Sequence, residues 1–200
     1  MAMIKKFTKR GFTLIELMIV VVIIGILASL AIYGVQKYVA NSKSAEAKTM
    51  LGRMSKDMLS FFEGENQTYA VLGFGGSAGI TRSLCPNAAG VPAATPPSKA
   101  KAMPSSTAFK DGAGWECMGT TWSSPTYYAY SVTSSSGTAA LTALPSATSG
   151  NTFTAMANGN LDGDTAYSTF SLGGLVLQDG SSGDLVLTLA TTVNEVDPEE

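Results

Sequence analysis

Histidine is missing from this chain of 200 residues, and cysteine occurs only twice. Without histidine, neither a Ser-His-Asp nor a Cys-His mechanism can operate, and a histidine-ligated zinc site cannot form. Charged residues make up only 14% of the chain. The sequence also offers no recognisable nucleophile–base pair, phosphate-binding loop or closed set of metal ligands. These absences argue against an enzyme.

The charge balance gives no support to nucleic-acid binding. The formal net charge is −2, and residues 1–11 carry four cations and no acid, so their removal would leave −6 before the termini are counted. Nucleic-acid-binding surfaces are strongly basic. We therefore expect no sequence-specific nucleic-acid partner.

A long apolar run dominates the N-terminus. From Phe12 to Ile32 it carries one charge, Glu16, and about 20 apolar residues suffice to cross a bilayer as a helix. The cations before it predict that the N-terminus stays in the cytoplasm and the remainder is exported. A secretory signal peptide has a shorter apolar region, of about 7–15 residues, and a plain membrane anchor gives the costly Glu16 no role. A third interpretation is that the helix leaves the lipid and packs against copies of itself.

The segment KRGFTLIELMIVVVIIGILA, residues 9–28, resembles the class III leader junction and N-terminal helix of type IV pilins, in particular the type IVa-like members. The resemblance is close over residues 9–32. It implies cleavage after Gly11 by a prepilin peptidase, N-methylation of the new N-terminal Phe12, and a role for Glu16 in docking each subunit into a fibre. The implied α+β fold has a long N-terminal helix packed against a small antiparallel β-sheet head, the ladle fold of pilins.

The resemblance also implies a function. The chain would be a structural subunit, a major pilin, that forms a homopolymer: a type IV pilus for twitching motility, adhesion or DNA uptake. It would lie in the inner membrane with its head in the periplasm, meet the inner-membrane assembly machinery there, and end in an extracellular fibre. Minor pilins and the pseudopilins of type II-like secretion systems share this segment, so a pseudopilin is the alternative. A membrane-anchored binding protein or enzyme is a third class, which the missing catalytic groups disfavour.

The helix is predicted to continue past the apolar run to Glu63, with Gly64 as its C-cap. Apolar residues recur at steps of three and four, which is typical of an amphipathic helix: Val35, Val39, Ala47, Met50, Met54, Met58 and Phe61. We therefore divide the chain into a cleaved leader (1–11), an apolar transmembrane or fibre-core helix (12–35), an amphipathic helix on the head (36–63), a long loop region (64–126) and a β-sheet (127–200).

The predicted loop region contains both cysteines, Cys85 and Cys117. Outside the cytoplasmic membrane an even pair predicts a disulfide, which would add roughly 3–4 kcal/mol in the chain-entropy model. The alternative is two unpaired buried thiols. Beyond the loop, four aromatic or β-branched stretches predict an antiparallel sheet of about four strands: residues 127–133, 152–157, 167–172 and 184–191.

Between two of these strands, oxygen-bearing side chains recur at every second position. Asn158, Asn160, Asp162 and Asp164 match the first half of a calcium-binding loop. The twelfth position is Thr169, so the bidentate glutamate of that loop is missing. The alternative is a tight turn rich in Asn and Asp. Calcium is the only cofactor that the sequence suggests.

Overall fold

The computed structural model describes residues 11–64, 82–92, 99–110, 112–141 and 144–198. Residues 1–10 of the predicted leader and parts of the predicted loop region lie outside these ranges. The fold is α+β, as expected. Its elements are α1 (Leu14–Phe62), β1 (Ala88–Val91), α2 (Ala113–Met118), β2 (Tyr128–Ser134), β3 (Thr152–Gly159), β4 (Ser168–Gln178), β5 (Leu185–Leu189) and β6 (Asn194–Val196). The chain divides into two compact units, the first ending at Val39 and the second beginning at Ala40.

In the first unit, helix α1 exposes its apolar side chains on every side. Its large hydrophobic residues from Phe12 to Val39 are 43–83% exposed. The helix is long and apolar enough to cross a membrane, and it stays α-helical through Gly25 and Gly34. A helix that is apolar all round is one that lipid or protein covers.

In the second unit, α1 buries a single stripe of side chains. The buried residues are Ser44, Ala47, Leu51, Met54, Ser55, Met58, Phe61 and Phe62. Their spacing of mostly three and four residues confirms the predicted amphipathic pattern from Ala47 onward, whereas Val35 and Val39 belong to the exposed first unit. The α-helix ends at Phe62, and Gly64 then adopts a positive φ of 89° and donates to the Phe61 carbonyl oxygen at 3.0 Å.

The buried stripe packs on an antiparallel sheet with the strand order β1-β2-β3-β4-β5, and β6 also pairs with β4. Tyr128 pairs with Gly159 across β2 and β3, and Thr152 pairs with Leu175 across β3 and β4. Alternate residues of the strands point inward, so one face joins the helix in a common core. The sheet contributes Tyr128, Tyr130, Val132, Phe153, Ala155, Ala157, Phe170, Leu172, Val176 and Leu187.

Among the described residues the sheet has six strands, where the sequence predicted about four. Strand β4 runs through Gly173 and Gly174 to Gln178, whereas the prediction ended it at residue 172. The ring of Phe153 fills the space that a side chain at Gly174 would need, so this glycine serves packing rather than ending the strand. The short strand β6 pairs with β4, and its Glu195 also forms an ion pair of 2.8 Å with Lys48.

The region predicted as loop contains strand β1 and helix α2. Helix α2 lies so close to the chain before β1 that a Cβ added at Gly114 would come within 2.5 Å of the Asn87 carbonyl oxygen. The helix ends at Met118, and Gly119 caps it. The left-handed φ of 66° at Gly119 lets its amide donate to the carbonyl oxygens of Trp115 and Glu116. Gly114 and Gly119 thus allow a short helix in a stretch whose composition predicted irregular structure.

Candidate functional site

Reciprocal hydrogen bonds between Thr13 and Glu16 cap the N-terminus of α1. The backbone nitrogen and Oγ1 of Thr13 donate to Oε2 of Glu16 at 2.9 and 2.8 Å, and the Glu16 amide donates to Thr13 Oγ1 at 3.3 Å. Such a capping box satisfies amide groups at a helix start that have no partner within the helix. Glu16 was predicted from the sequence as a functional residue but its partner Thr13 was not, although the spacing T-x-x-E is the signature of this cap.

The cap leaves part of the Glu16 carboxylate available. Both hydrogen bonds from Thr13 fall on Oε2, and no described residue donates to Oε1. A carboxylate oxygen can accept from a cation while its partner oxygen holds an amide. Glu16 can therefore cap its own helix and bind a group from another molecule at the same time.

The predicted cleavage point lies outside the helix. Gly11 and Phe12 are exposed and have no helical hydrogen-bonding pattern, and α1 begins only at Leu14. A peptidase can bind an extended segment more readily than a helical one, because helical backbone groups are already paired. The geometry at Gly11 and Phe12 is thus compatible with processing.

Within the second unit, Glu46 joins α1 to the loops of the head. Its Oε1 accepts from the Tyr127 amide at 2.9 Å, and its Oε2 accepts from Lys101 Nζ at 3.1 Å. The ammonium groups of Lys43 and Lys101 each lie 4.8 Å from the centroid of the Tyr127 ring. Burial and then the Glu46 charge raise the pKa of the Tyr130 hydroxyl well above its usual range, so this buried group stays neutral.

The predicted disulfide is present between Cys85 and Cys117, with an S–S distance of 2.06 Å. Both residues are buried, and the bond joins the chain before β1 to helix α2. The Cys85 amide also donates to the sulfur of Met58 at 3.3 Å, and Trp115 Nε1 donates to the Ala89 carbonyl oxygen at 2.9 Å. These contacts tie α1, β1 and α2 together.

Three of the four predicted calcium ligands meet in one turn. Asn160 Oδ1 accepts from the Gly163 amide at 2.6 Å, and its Nδ2 donates to the Asp164 carbonyl oxygen at 2.8 Å. Asp162 and Asp164 each accept an amide two residues further on, from Asp164 and Ala166. The backbone of the turn therefore already engages one side-chain oxygen of each residue, as in an Asx turn.

The fourth predicted ligand, Asn158, lies apart from that turn. It belongs to β3, and its Oδ1 accepts from the Thr169 hydroxyl at 3.0 Å. The side-chain carbons of Lys99 lie over Gly163, which places a lysine stem beside the turn. Within the described ranges, no group of three or more His, Cys, Asp or Glu residues could hold a metal. This geometry favours the turn, and calcium binding stays a prediction.

Comparison with known proteins gives matches to pilins. Residues 6–32 match the family model of the prokaryotic N-terminal methylation motif. The type IV major pilin protein PilA of Myxococcus xanthus is 60% identical over 53 residues, which is 26% of this chain and 24% of that protein. The type IV major fimbrial protein FimA of Dichelobacter nodosus is 53% identical over 49 residues, 24% of this chain and 31% of FimA. No solved structure matches significantly.

The chain thus spans only about a quarter to a third of the length of these relatives. The match to the methylation motif, however, includes the predicted cleavage point at Gly11 and Phe12, the capping residue Thr13 and the carboxylate of Glu16. The long apolar helix that follows and the small antiparallel sheet form the α+β architecture that the motif implies. By its N-terminal segment the chain is similar to type IV pilins, and its α+β fold agrees with that similarity.

Proposed function

We propose that this chain is the major structural subunit of a type IV pilus and has no catalytic role. The observation that carries this proposal is the apolar helix of the first unit, whose large hydrophobic residues are 43–83% exposed. Covering apolar surface is the dominant favourable term in association. Lipid covers this surface before assembly, and the same helices of neighbouring subunits cover it in the fibre.

Glu16 gives the assembly a direction. Cleavage after Gly11 creates an amine at Phe12, one residue before the cap. In a core of apolar helices an unpaired carboxylate is unfavourable, and breaking a buried ion pair costs about 3–5 kcal/mol. The Phe12 amine of one subunit and the free Oε1 of Glu16 in its neighbour meet at only one axial stagger, whereas apolar packing alone is non-directional.

This function requires a prepilin peptidase and an inner-membrane assembly machine as partners. The head lies in the periplasm before assembly and on the extracellular fibre afterwards, where it serves surface motility, adhesion or DNA uptake. The relatives are a type IV major pilin and a type IV major fimbrial protein, which favours a pilin over a secretion pseudopilin.

The proposal can be tested on fibres that are sheared from the cell surface and analysed. We expect electron microscopy to show fibres whose main band is this chain, beginning with N-methylated Phe12 by mass spectrometry. Deleting its gene removes the fibres, and the wild-type gene restores them. Fibres built from a chain that begins at Met1 would contradict the processing. Normal fibres in the deletion strain, together with a protein-export defect, would instead support a pseudopilin.

A further inference from the structure

Strand β5 forms a free edge of the sheet. The strand order ends with it, and no described strand lies on its outer side. Opposite residues of antiparallel strands alternate between hydrogen-bonded and unbonded pairs. The amide of Ala190, directly after β5, donates to the Gly173 carbonyl oxygen at 2.8 Å, so this pair is bonded. By alternation, three residues of β5 direct their amide and carbonyl groups away from β4: Leu185, Leu187 and Leu189.

This edge lacks the features that usually keep sheet edges apart. Exposed edges are commonly protected by charged residues, proline or a bulge. Strand β5 reads LVLTL, without a charge or a proline, and its pairing with β4 keeps one register without a bulge. Val186 is 49% exposed, and Leu185 and Leu189 are only partly buried. The edge therefore combines free backbone groups with uncovered apolar side chains.

A second β5 strand fits this edge in one antiparallel register. When Leu187 lies opposite Leu187 of the other copy, Leu185 lies opposite Leu189. These are the bonded pairs, so every free amide and carbonyl group of the three leucines finds a partner. The side chains of Leu185 and Leu189 then cover one another across the two copies. Asp184 lies opposite Ala190, so no acid faces another acid.

The symmetry of this contact decides which copies it joins. It pairs identical surfaces and therefore has a two-fold axis, whereas neighbours within one helical fibre meet through two different surfaces. The contact must then link subunits of different fibres. A strand of five residues is only about 17 Å long, which is too short to bury the roughly 1,000 Å² of a stable interface. One contact is weak, but many along two fibres act together.

We propose that the β5 edges of two copies of this chain pair with each other and join pili side by side into bundles. The inference rests on the proposed fibre function. It also predicts how salt acts, because no lysine or arginine follows Lys110 and the strand ends near β5 are acidic. The two Asp184 side chains of a pair lie about 20 Å apart, and charges are screened over about 8 Å in physiological salt. Bundling should therefore increase between about 10 and 150 mM salt.

Cysteine cross-linking tests the register. In the proposed pair, Val186 lies opposite Thr188 of the other copy, in an unbonded pair whose side chains are close enough for a disulfide. Sheared fibres of the double variant Val186→Cys/Thr188→Cys should give dimers on non-reducing gels after mild oxidation. The control is Leu175→Cys/Leu177→Cys. These exposed leucines pair with Thr188 and Val186 across β4 and β5 but lie one strand further from the edge, so they should stay monomeric.

A pair of lysine variants tests bundling itself. Val186→Lys/Thr188→Lys places lysines of the two copies directly opposite each other, which is unfavourable. Both positions are exposed, so the head should still fold, and circular dichroism of the detergent-solubilised chain checks this. The fraction of fibres that sediments at low speed should fall by about tenfold or more. Leu175→Lys/Leu177→Lys makes the same change of charge and should bundle almost as the wild type does.

The outcomes separate this inference from the fibre function. Wild-type fibres that stay single at every salt concentration would overturn the bundling but leave the pilin function, whereas the absence of fibres would contradict both. An equal loss of bundling in both lysine variants would show that surface charge, and not the edge, controls it. Bundling that weakens with salt would assign the contact to oppositely charged surfaces. Should the lysine variant at β5 fail to fold, the cysteine dimers decide, and bundles without dimers would exclude the paired edges.

Discussion

The two parts of helix α1 lie in different environments. In the first unit Leu30 is 68% exposed, whereas in the second unit Leu51, on the same helix, is fully buried. The part of α1 in the first unit is apolar on every side, and its side chains stay exposed within that unit. The part in the second unit has one buried stripe of side chains that packs on the sheet. Leucine side chains of the same helix thus differ in their surroundings. Those in the second unit stabilise the fold, whereas those in the first unit stay exposed and, in the proposed function, are covered by association.

The largest expected effect comes from removing the charge of Glu16. Glu16→Gln keeps an oxygen that accepts the Thr13 amide, because glutamine also forms a capping box, but it cannot form an ion pair with Phe12. We expect cleavage and the stability of the head to be unchanged and the yield of sheared fibres to fall at least tenfold. Glu16→Ala should behave in the same way, and Glu16→Asp should be intermediate because its side chain is shorter.

Thr13→Val is the matched control for the cap. It removes the hydroxyl that bonds Glu16 but leaves the charge, so fibre yield should fall far less than with Glu16→Gln. Fibres are quantified by immunoblot, and mass spectrometry confirms that Phe12 is the first residue. Wild-type yield from Glu16→Gln, combined with a loss in Thr13→Val, would mean that the cap rather than the ion pair is needed.

The next prediction compares the same truncation in the two units. Leu51→Ala should lower the free energy of unfolding of the head by about 2–5 kcal/mol, because it leaves a cavity in a packed core. Leu30→Ala removes an exposed side chain and should change that free energy by less than about 0.5 kcal/mol, while it lowers fibre yield. Thermal unfolding of the detergent-solubilised chain, followed by circular dichroism, measures both. Equal destabilisation by the two variants would contradict the assignment of Leu51 to the folded core and of Leu30 to a surface outside it.

The disulfide belongs to the second unit alone. Cys85→Ser or Cys117→Ser should destabilise the head by roughly 3–4 kcal/mol in the chain-entropy model for a separation of 32 residues, and cleavage after Gly11 should continue. In the wild type, intact-mass analysis should find no alkylated thiol before reduction. Two alkylated cysteines in unreduced protein would contradict the bond.

The features best predicted from the sequence are the long ones. The helix was predicted over 12–63 and is observed over Leu14–Phe62. The apolar run indicated its first half by length, and the spacing of Ala47, Met54 and Met58 indicated its second half by period. The four predicted strands were found because aromatic and β-branched residues partly alternate in them. Their ends lie within two residues of the prediction, except for the C-terminal end of β4, which lies six residues further on. The error at Gly174 shows the limit, since its neighbour Phe153 lies on another strand and nothing local reveals that contact.

The short elements could not be predicted in this way. Strand β1 has four residues, α2 has six and β6 has three, which is too few to show a period. Their positions depend on distant contacts, such as Gly114 against Asn87 and Lys48 with Glu195. At the candidate site, Thr13 was recognisable from its spacing. The contacts of Glu46 with Lys101 and Tyr127 were not, because these residues are far apart in the sequence.

The smallest expected effect concerns the turn at residues 160–164, also within the second unit. Calcium bound only to the native state would stabilise the head by about 2.7 kcal/mol at a hundredfold excess over its dissociation constant. Because backbone amides already engage Asn160, Asp162 and Asp164, we expect neither calcium nor chelator to shift the melting temperature.

Asn160→Ala should nevertheless lower the free energy of unfolding by about 1–3 kcal/mol, since this buried side chain makes two hydrogen bonds. Asp162→Ala, at an exposed position, should stay within about 0.5 kcal/mol. A calcium site would reverse this order, because Asp162 would supply a charged ligand and Asn160 a neutral one. A shift in melting temperature with calcium that Asp162→Ala abolishes would therefore establish a metal site where the hydrogen bonds indicate a turn.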